Sequence, residues 1–300
     1  MRRIGLVGLV WWSLLALLQG QRLIVPGDEG LSPYMGYGGG YLSPDGKVLL
    51  MRFHTRITYR HHPAIWTLQD GWWYLKPDGG LTRNPHEAIW GYDHAISYDG
   101  SVVLGYDLEV RRPFRWWRGR GIEYLQRPPG ASAAVGIFLS WDGGWVGGRV
   151  AFPHPWGASW FVARWSPEGR VEVIEPYFDP HDMSATGREL VGVYGYLYAC
   201  HWREGEGLRL HVLPFTSATC VSADGTIAVG RFFDRNNLMR PCIGRWFVDE
   251  DYDDCVIYYS EFPRSYDGYV YAYEVDTSAD ARVITGFYQD EFRQYGFLWE

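Results

Sequence analysis

A serine-initiated pattern recurs six times along this 300-residue chain, and it restricts the possible folds more than any other feature. The repeats start at Ser43, Ser97, Ser140, Ser184, Ser222 and Ser278. In five of them a glycine follows eight residues later, at Gly105, Gly148, Gly192, Gly230 and Gly286. A tryptophan then closes every repeat, at Trp66, Trp116, Trp165, Trp202, Trp246 and Trp299. Recurrence of this kind predicts one structural unit that is repeated along the chain.

Each repeat has the pattern of four short antiparallel strands. In "SATCVSADGTIAVG", a first strand ends at Ser222, an Asp-Gly turn follows, and an alternating apolar strand runs to Gly230. Glycine takes a positive φ at little cost, and aspartate hydrogen-bonds its own backbone. Four-stranded units of about 45 residues are typical of β-propeller blades, which bury both faces only by stacking on each other. We therefore predict an all-β fold, a six-bladed β-propeller of four-stranded antiparallel blades, with repeats that start near residues 42, 95, 138, 182, 219 and 275.

The last repeat ends at "FLWE" and contains no fourth strand. Propellers commonly complete their last blade with a strand from the other end of the chain, which removes an exposed edge. The segment Arg22–Pro26, "RLIVP", is a suitable apolar strand near the N-terminus. We predict that this N-terminal strand completes the last blade and that residues 21–300 form a single domain.

Two details of the repeat need an explanation. A glycine inside a strand weakens pairing, so we hypothesise that the repeated tryptophan, one strand over, covers the bare backbone at glycines such as Gly230. The turn also departs from its pattern twice, because Thr186 replaces aspartate in the fourth repeat and Ala281 replaces glycine in the last. A positive φ would be unfavourable for alanine, which predicts a different type of turn at Ala281.

The N-terminus has the pattern of a signal peptide. Arg2 and Arg3 precede an apolar run from Ile4 to Leu18, and the small residue Gly20 follows. The run is about as long as the core of a signal peptide, and it is shorter than the ~20 residues that a membrane-spanning helix needs. We predict a signal peptide over residues 1–20 and an exported protein, secreted or periplasmic or at the cell surface. An uncleaved N-terminal anchor is the alternative, and we predict no other membrane insertion.

The cysteines are Cys200, Cys220, Cys242 and Cys255, an even number in a chain that is predicted to be exported. Three pairings are possible, and spacing alone does not choose among them. The strand assignment places Cys242 and Cys255 on neighbouring strands, so this pair is our first choice for a disulfide. Free buried thiols are the alternative.

The pattern Ser-x-Asp-Gly-x-x-x-x-Gly followed by Phe-x-Trp resembles the HAF-type repeats of bacterial exported proteins, over nearly all of the chain after the predicted signal. The stretch "SPDGKVLLM" at Ser43 is similar to the TolB-type propeller repeat. Both resemblances imply a propeller outside the cytoplasm. HAF-type repeats define no catalytic residues, so the resemblance implies no site residue in this chain.

Charge and motifs narrow the functional classes. The net charge of −7 argues against a nucleic-acid partner, because a general nucleic-acid binder needs a basic face for phosphates. The sequence contains no G-x-S-x-G, no H-E-x-x-H, no phosphate-binding loop and no dinucleotide fingerprint. We predict no cofactor, no metal site and no assignable catalytic residue. A propeller hydrolase, most plausibly directed at glycans, is the alternative, and glycosidases usually need two carboxylates across a cleft.

The loops between the second and third strands differ most among the repeats, and a propeller gathers them on one face. They are rich in arginine, tyrosine, histidine and tryptophan, which favour binding; solvated connections are the alternative. We predict a non-catalytic binding scaffold for a protein, peptide or glycan. The candidate binding residues are Arg56, Tyr59, Arg60, His61, His62, Arg111, Arg112, Trp156, Asp234, Arg235, Asn236 and Arg293.

Overall fold

The computed structural model describes residues 6–7, 31–33, 41–55, 58–195, 198–211, 215–232, 242–247, 256–258, 271–277, 284–289 and 294–299, with side chains over 41–55, 58–195, 198–211 and 217–230. Backbone contacts divide the chain into two compact units. One is Val25–Pro176, and the other is Met1–Ile24 together with Tyr177–Glu300. Both consist of antiparallel sheets, which confirms the all-β prediction.

The described residues of the unit Val25–Pro176 form three sheets, here called the first, second and third. Strands are numbered along the chain. The first sheet contains β2 (Leu31–Pro33), β3 (Tyr41–Leu42), β4 (Val48–Thr55), β5 (Arg60–Thr67), β6 (Gly71–Leu75) and β7 (Leu81–Thr82). The second sheet contains β8 (Gly91–Ile96), β9 (Val102–Asp107), β10 (Arg112–Trp117) and β11 (Gly121–Tyr124). The third sheet contains β12 (Ala133–Leu139), β13 (Val146–His154), β14 (Gly157–Trp165) and β15 (Val171–Pro176).

The other unit contains three further sheets in its described residues, here called the fourth, fifth and sixth. The fourth sheet contains β16 (Phe178–Met183), β17 (Glu189–Tyr194), β18 (Tyr198–Arg203) and β19 (Gly207–His211). The fifth sheet contains β20 (Phe215–Val221), β21 (Ile227–Phe232), β22 (Cys242–Phe247) and β23 (Val256–Tyr258). The sixth sheet contains β24 (Tyr271–Thr277), β25 (Ile284–Gln289) and β26 (Gln294–Trp299), and β1 (Leu6–Val7) lies beside β26.

The first and sixth sheets depart from a simple run of four strands. In the first sheet, β2 and β3 both pair with β4, near its end and near its start respectively. In the sixth sheet, an N-terminal strand does pair with the last strand, as Leu6 lies opposite Gly296 and Val7 opposite Tyr295. This strand belongs to the segment predicted to be a signal peptide. The strand predicted for this position, Arg22–Pro26, lies outside the described residues. No helix in the described part of the chain is long and apolar enough to span a membrane.

The Ser-x-Asp-Gly segment forms a closed hydrogen-bonded turn between the first and second strands of a sheet. In the second sheet, Ser97 Oγ donates to Asp99 Oδ1 at 3.0 Å and accepts from the amide of Val102 at 2.9 Å. Asp99 Oδ1 also accepts from the amide of Ser101 at 2.9 Å. The turn glycine, Gly100, has a φ of 71°, and a Cβ there would fall on the side chain of Val48 in the first sheet. The glycine therefore serves both the turn and the stacking of neighbouring sheets.

The fourth repeat keeps the same turn without its aspartate. Ser184 Oγ donates instead to Glu189 Oε2 at 2.6 Å, and Thr186 Oγ1 donates to the same oxygen at 3.5 Å. Ser184 Oγ still accepts from the amide of Glu189 at 3.2 Å. The carboxylate of Glu189, five residues after the serine, thus takes the place of the missing aspartate.

Glu189→Ala is expected to destabilise the protein by about 1–2 kcal/mol, because it removes a charged acceptor from Ser184. Adding Thr186→Asp should recover part of this loss, since it restores the aspartate that the second repeat uses. Urea unfolding measures both effects, and Glu204→Ala, which removes an exposed carboxylate, is the control. If Thr186→Asp recovers no stability, the conclusion that Glu189 takes the place of the turn aspartate is wrong.

The repeated tryptophan joins one sheet to the next. Trp116 is fully buried between the first and second sheets, and its Nε1 donates to the carbonyl of Lys76 at 2.6 Å. Trp165 is fully buried between the second and third sheets, and its Nε1 donates to the carbonyl of Gln126 at 2.7 Å. Each indole thus adds a directed hydrogen bond to an apolar contact between sheets.

The repeated glycine has a different role from the one predicted. Gly148 on β13 lies opposite a β-bulge in β12, where the pairing shifts between Gly136 and Phe138. A Cβ at Gly148 would fall on the carbonyl oxygen of Val135 and would lie 2.9 Å from Gly136 Cα. Trp165 pairs with Val146, two residues before the glycine. The hypothesis that the tryptophan covers the glycine is therefore wrong: the bulge brings the neighbouring backbone so close that only glycine fits.

Candidate functional site

The strands of the first and second sheets place their variable loops at the end away from the Ser-x-Asp-Gly turns. We define the loop end of these two sheets as residues 55, 58–61, 89–93 and 107–112. It contains the described part of the connection from β4 to β5, the segment that leads into β8, and the connection from β9 to β10. Five of the predicted binding residues lie in it, namely Tyr59, Arg60, His61, Arg111 and Arg112, and His62 lies directly beside it.

His62 holds the loop end together from inside. Its side chain is only 1% exposed, its Nδ1 donates to the carbonyl of Ile89 at 2.8 Å, and its Nε2 accepts from Thr58 Oγ1 at 2.8 Å. Burial is the main cause that lowers the pKa of His62, which favours the neutral ring that this bonding needs. The predicted binding residue His62 therefore clamps the β4–β5 loop to the segment that enters the second sheet.

Tyr59 and Arg60 are presented to solvent by this clamped loop. Tyr59 has a φ of 53°, its amide donates to the carbonyl of Thr55 at 2.9 Å, and its side chain is 79% exposed. The guanidinium of Arg60 lies over the ring of Trp90, 4.3 Å from its centroid. A cation stacked on an indole face is attracted by the ring quadrupole. An exposed phenol ring and an oriented guanidinium thus stand on consecutive residues.

The β9–β10 loop meets the same tryptophan through its backbone. The amide of Leu108 donates to the carbonyl of Trp90 at 2.9 Å. Asp107 Oδ1 accepts from the amides of the next loop residues, Glu109 at 2.8 Å and Val110 at 3.0 Å. Arg111 is exposed with a φ of 58°. Trp90 is therefore the point at which the two loops of the loop end are joined.

Arg112 is turned toward its own sheet. Its Nη2 donates to the carbonyl of Leu125 at 3.1 Å, and its guanidinium lies 5.4 Å from the ring centroid of Tyr124. Both contacts belong to the second sheet, so Arg112 stabilises the β10–β11 pair rather than standing free at the loop end.

A polar cluster fills the space between the first and second sheets beneath the loops. Arg52 lies over the ring of Tyr92 at 4.7 Å, and its Nε is 3.8 Å from Asp93 Oδ1. The ring of His61 lies 5.0 Å from that of His54 and 5.6 Å from that of Tyr92. From the sequence, only the loops between second and third strands were considered, so His61 was identified but Tyr92 and Asp93 were not. The segment that leads into each first strand returns to the same end of the sheet, and this topology would have indicated both residues.

Burial dominates the electrostatics of this cluster. Desolvation raises the pKa of Asp93 to about 6, against the opposing effect of Arg52. Desolvation also lowers the pKa of the neighbouring His94 to about 4, and it lowers the pKa of His61. The interaction between Arg52 and Asp93 is thus weakened by partial protonation of the carboxyl near pH 6. In the described part of the chain, no group of three or more His, Cys, Asp or Glu side chains is arranged to hold a metal ion.

Trp156 lies at the tip of a separate hairpin in the third sheet. The strands β13 and β14 are nine residues long, and they pair until His154 meets Gly157. Trp156 is 92% exposed at this tip. It is therefore accessible, as the binding prediction requires, and its amide donates to Nδ1 of His154 at 3.3 Å.

The remaining predicted residues have no described side chains. Arg56, Asp234, Arg235, Asn236 and Arg293 lie outside the described residues, as do Ala281 and Cys255. Cys242 lies at the start of β22, where only the backbone is described, so the Cys242–Cys255 disulfide stays a prediction. Cys200 and Cys220 are buried, and neither is in a disulfide. Burial raises the pKa of the Cys200 thiol far above its ordinary value, which makes it unreactive.

A buried pair of histidines lies in the fourth sheet. His201 Nδ1 and His211 Nε2 are 2.8 Å apart, so the two rings share one proton in a hydrogen bond. His201 is 3% exposed and His211 9% exposed. Burial, with a smaller effect of the Arg209 charge, lowers the pKa of His211 to about 4. The pair joins β18 to β19 and has no access to a ligand in solution.

Acidification from pH 6.5 to pH 4 is expected to destabilise the protein through His211. The unfolded histidine, with a pKa of 6.5, binds a proton before the folded one does, so stability falls as the pH drops, by up to about 3 kcal/mol. His211→Gln should flatten the slope in this window, because glutamine hydrogen-bonds to His201 but does not titrate. Asp93 acts in the opposite sense between pH 6 and pH 3.8, so the measurement is the difference between wild type and variant in urea unfolding at each pH. Equal slopes would contradict the prediction.

The comparisons with known proteins establish the fold. No protein-family model matches the chain, and no curated protein matches it. The β-propeller domain of the Trilobed protease from Pyrococcus furiosus matches with a TM-score of 0.56 and 10% identity, over 88% of this chain and 80% of that chain. Pyrococcus horikoshii acylaminoacyl peptidase matches with a TM-score of 0.56 and 10% identity, over 89% of this chain and 45% of that chain. The chain has a β-propeller fold.

A putative TolB from Agrobacterium tumefaciens also matches, with 14% identity over 73% of this chain and 79% of that chain. Its TM-score of 0.46 is too low to support an argument. The resemblance to HAF-type repeats, the signal peptide and export therefore stay predictions.

Proposed function

We propose that this protein is an exported, closed six-bladed β-propeller that binds its partner, without catalysis, through the loop end of the first and second sheets. The observation that carries the proposal is the pair Tyr59 and Arg60, exposed on a loop that His62 and Trp90 fix in place. Aromatic and arginine side chains with restricted motion are the residues on which binding energy concentrates. A fixed loop also loses less conformational entropy on binding than a mobile one.

The six-bladed, closed architecture is supported by two observations. The described residues contain six sheets that follow each other along the chain. The last strand of the sixth sheet pairs with an N-terminal strand, Leu6–Val7. Export removes these two residues with the signal peptide, and we propose that Arg22–Pro26 then takes their place beside the last strand.

A hydrolase is the competing function, because the solved structures that match include the β-propeller domain of a protease and a peptidase. Hydrolysis of a glycosidic bond needs a second carboxylate at a defined distance from the first. The charged partner of Asp93 at the loop end is Arg52, a cation, and this arrangement favours binding over acid–base catalysis by two carboxylates.

Tyr59→Ala/Arg60→Ala is expected to weaken ligand binding at least tenfold, because it removes both exposed side chains from a loop that stays clamped by His62. Glycan and peptide arrays probed with wild type and variant measure the effect. Arg83→Ala, which removes an exposed arginine from the first sheet away from the loop end, is the matched control. If the double variant binds the ligand as tightly as the wild type, the loop end is not the binding site. If a bound ligand is cleaved, the protein is a hydrolase instead.

A further inference from the structure

We propose that the loop end recognises an acidic oligosaccharide, with Arg60 bound to the carboxylate of a uronic acid and Tyr59 stacked on a sugar ring. This inference rests on the proposed binding function and names the class of ligand. It follows from three features of the loop end: a guanidinium held over an indole with no hydrogen-bond partner among the described residues, an adjacent exposed aromatic ring, and a sheet edge that is open over only a few residues.

Two arginine–tryptophan stacks in the first sheet differ in what the guanidinium can still bind. Arg83 lies over Trp73 at 4.4 Å, and its Nη2 also donates to the carbonyl of Asp70 at 2.9 Å. Arg60 lies over Trp90 at a similar distance, 4.3 Å, but within the described part of the chain its guanidinium makes no hydrogen bond or ion pair. A stacked guanidinium directs its N–H edge sideways, in the fork geometry that matches a carboxylate. Arg60 is therefore positioned for an anion that the described part of the chain does not supply.

Tyr59 adds an apolar, flat surface next to this cation. Among the described residues, no ring contact or hydrogen bond engages its side chain, which is 79% exposed. Its backbone is fixed by the amide bond to Thr55 at 2.9 Å. The face of an aromatic ring is electron-rich and attracts the C–H groups of a sugar ring. A uronic acid carries its carboxylate directly on the sugar ring, so one residue of such a glycan presents both groups at short range.

The charges of the neighbouring loop agree with an anionic ligand. Arg111 is exposed there, in a backbone conformation with a φ of 58°. The carboxylate of Glu109 is the acidic charge on the exposed stretch of the same loop. Among the exposed side chains of the loop end, Arg60 and Arg111 therefore outnumber Glu109, whereas Asp93 and Asp107 are buried. This excess of exposed positive charge attracts an anionic polymer.

An acidic peptide would also meet Arg60, but the loop end offers little to its backbone. Peptides bind to sheets mainly by adding a strand to an open edge. Here β4 pairs with β5 on one side and with β2 on the other, whereas β6 pairs with β5 only from Ala64 onward. The open edge at the loop end is therefore the short stretch 60–63 of β5, in which Pro63 has no amide N–H to donate to a peptide. A uronic acid, a rigid ring with an attached carboxylate, contacts both the guanidinium of Arg60 and the exposed ring of Tyr59. A flexible acidic side chain of a peptide contacts only the guanidinium.

The test measures binding of the full chain to three polymers by isothermal titration calorimetry: polygalacturonate or alginate, fully methyl-esterified polygalacturonate, and poly-L-glutamate. We expect binding to at least one of the two uronate polymers and at least tenfold weaker binding to the ester and to poly-L-glutamate. Arg60→Lys keeps the charge but loses the fork and the stacking, and it should weaken binding at least about tenfold, as should Tyr59→Ala. Arg83→Ala should leave binding unchanged.

Two results would overturn the proposal. Equal binding of poly-L-glutamate and polygalacturonate would show that charge alone is recognised and would point to an acidic peptide. No binding of either uronate polymer would reject the ligand class. In that case, the arrays decide whether the proposed binding function survives. If a ligand of another class binds the wild type and binds Tyr59→Ala/Arg60→Ala more weakly, the loop end is still a binding site. If no array ligand loses affinity in this variant, both the ligand class and the binding function are refuted.

Discussion

Gly148→Val is expected to destabilise the protein by about 3 kcal/mol or more, although the new side chain is apolar and suits a β-strand. The reason is backbone geometry, because the added Cβ would fall on the carbonyl oxygen of Val135 across the bulge of β12. A carbonyl oxygen cannot move aside as the end of a flexible side chain does, so the strand must separate or the bulge must unwind. Gly230→Val in the fifth sheet should behave alike, since its Cβ would fall on the carbonyl oxygen of Ser217.

A double-mutant cycle separates this account from one in which the tryptophan covers the glycine. If the bulge carbonyl is responsible, the effects of Gly148→Val and Trp165→Phe should add within about 0.5 kcal/mol. Ser159→Val, which places valine at a partly exposed position of the same hairpin, is the control and should change stability by less than about 0.5 kcal/mol. Chemical denaturation of the four proteins measures the cycle. A coupling above 1 kcal/mol would restore the tryptophan as the partner of the glycine.

The bulge also marks the limit of what the sequence could predict about the fold. The turns at Ser97 and Ser222 are local, since each is built from residues within five positions, and their spacing was sufficient to predict a series of four-stranded sheets. Each bulge contains one extra residue, His94 in β8 and Ile137 in β12, that has no partner on the neighbouring strand. No residue type marks that position. The repeated glycine could be identified in the sequence, but the reason why glycine is required there lies in the pairing of two strands.

The loop end shows a similar division between local and long-range information. Tyr59 and Arg60 were identified because a loop rich in arginine and aromatic residues favours binding. Trp90 was missed because it is distant in sequence and meets Arg60 only after the chain has crossed from the first sheet to the second. His62 has the residue type of a ligand-binding group, but its two hydrogen bonds point into the protein. Composition thus identifies a loop, whereas contacts between sheets decide which of its side chains are free.

Trp165→Ala is expected to cost about 3–5 kcal/mol, since it removes a fully buried indole from the contact between the second and third sheets. Trp165→Phe retains most of the apolar volume but leaves the carbonyl of Gln126 without its donor, and it should cost about 1–3 kcal/mol. Urea unfolding measures both losses, with Trp160→Phe, at a partly exposed position on the same strand, as the control that should change little. Stability of Trp165→Phe equal to that of the wild type would mean that the indole acts by volume alone. A clear loss would instead show that a directed hydrogen bond fixes the third sheet on the second. Because Trp116 donates to Lys76 in the same way, it would explain why tryptophan, rather than another large apolar residue, closes these two repeats.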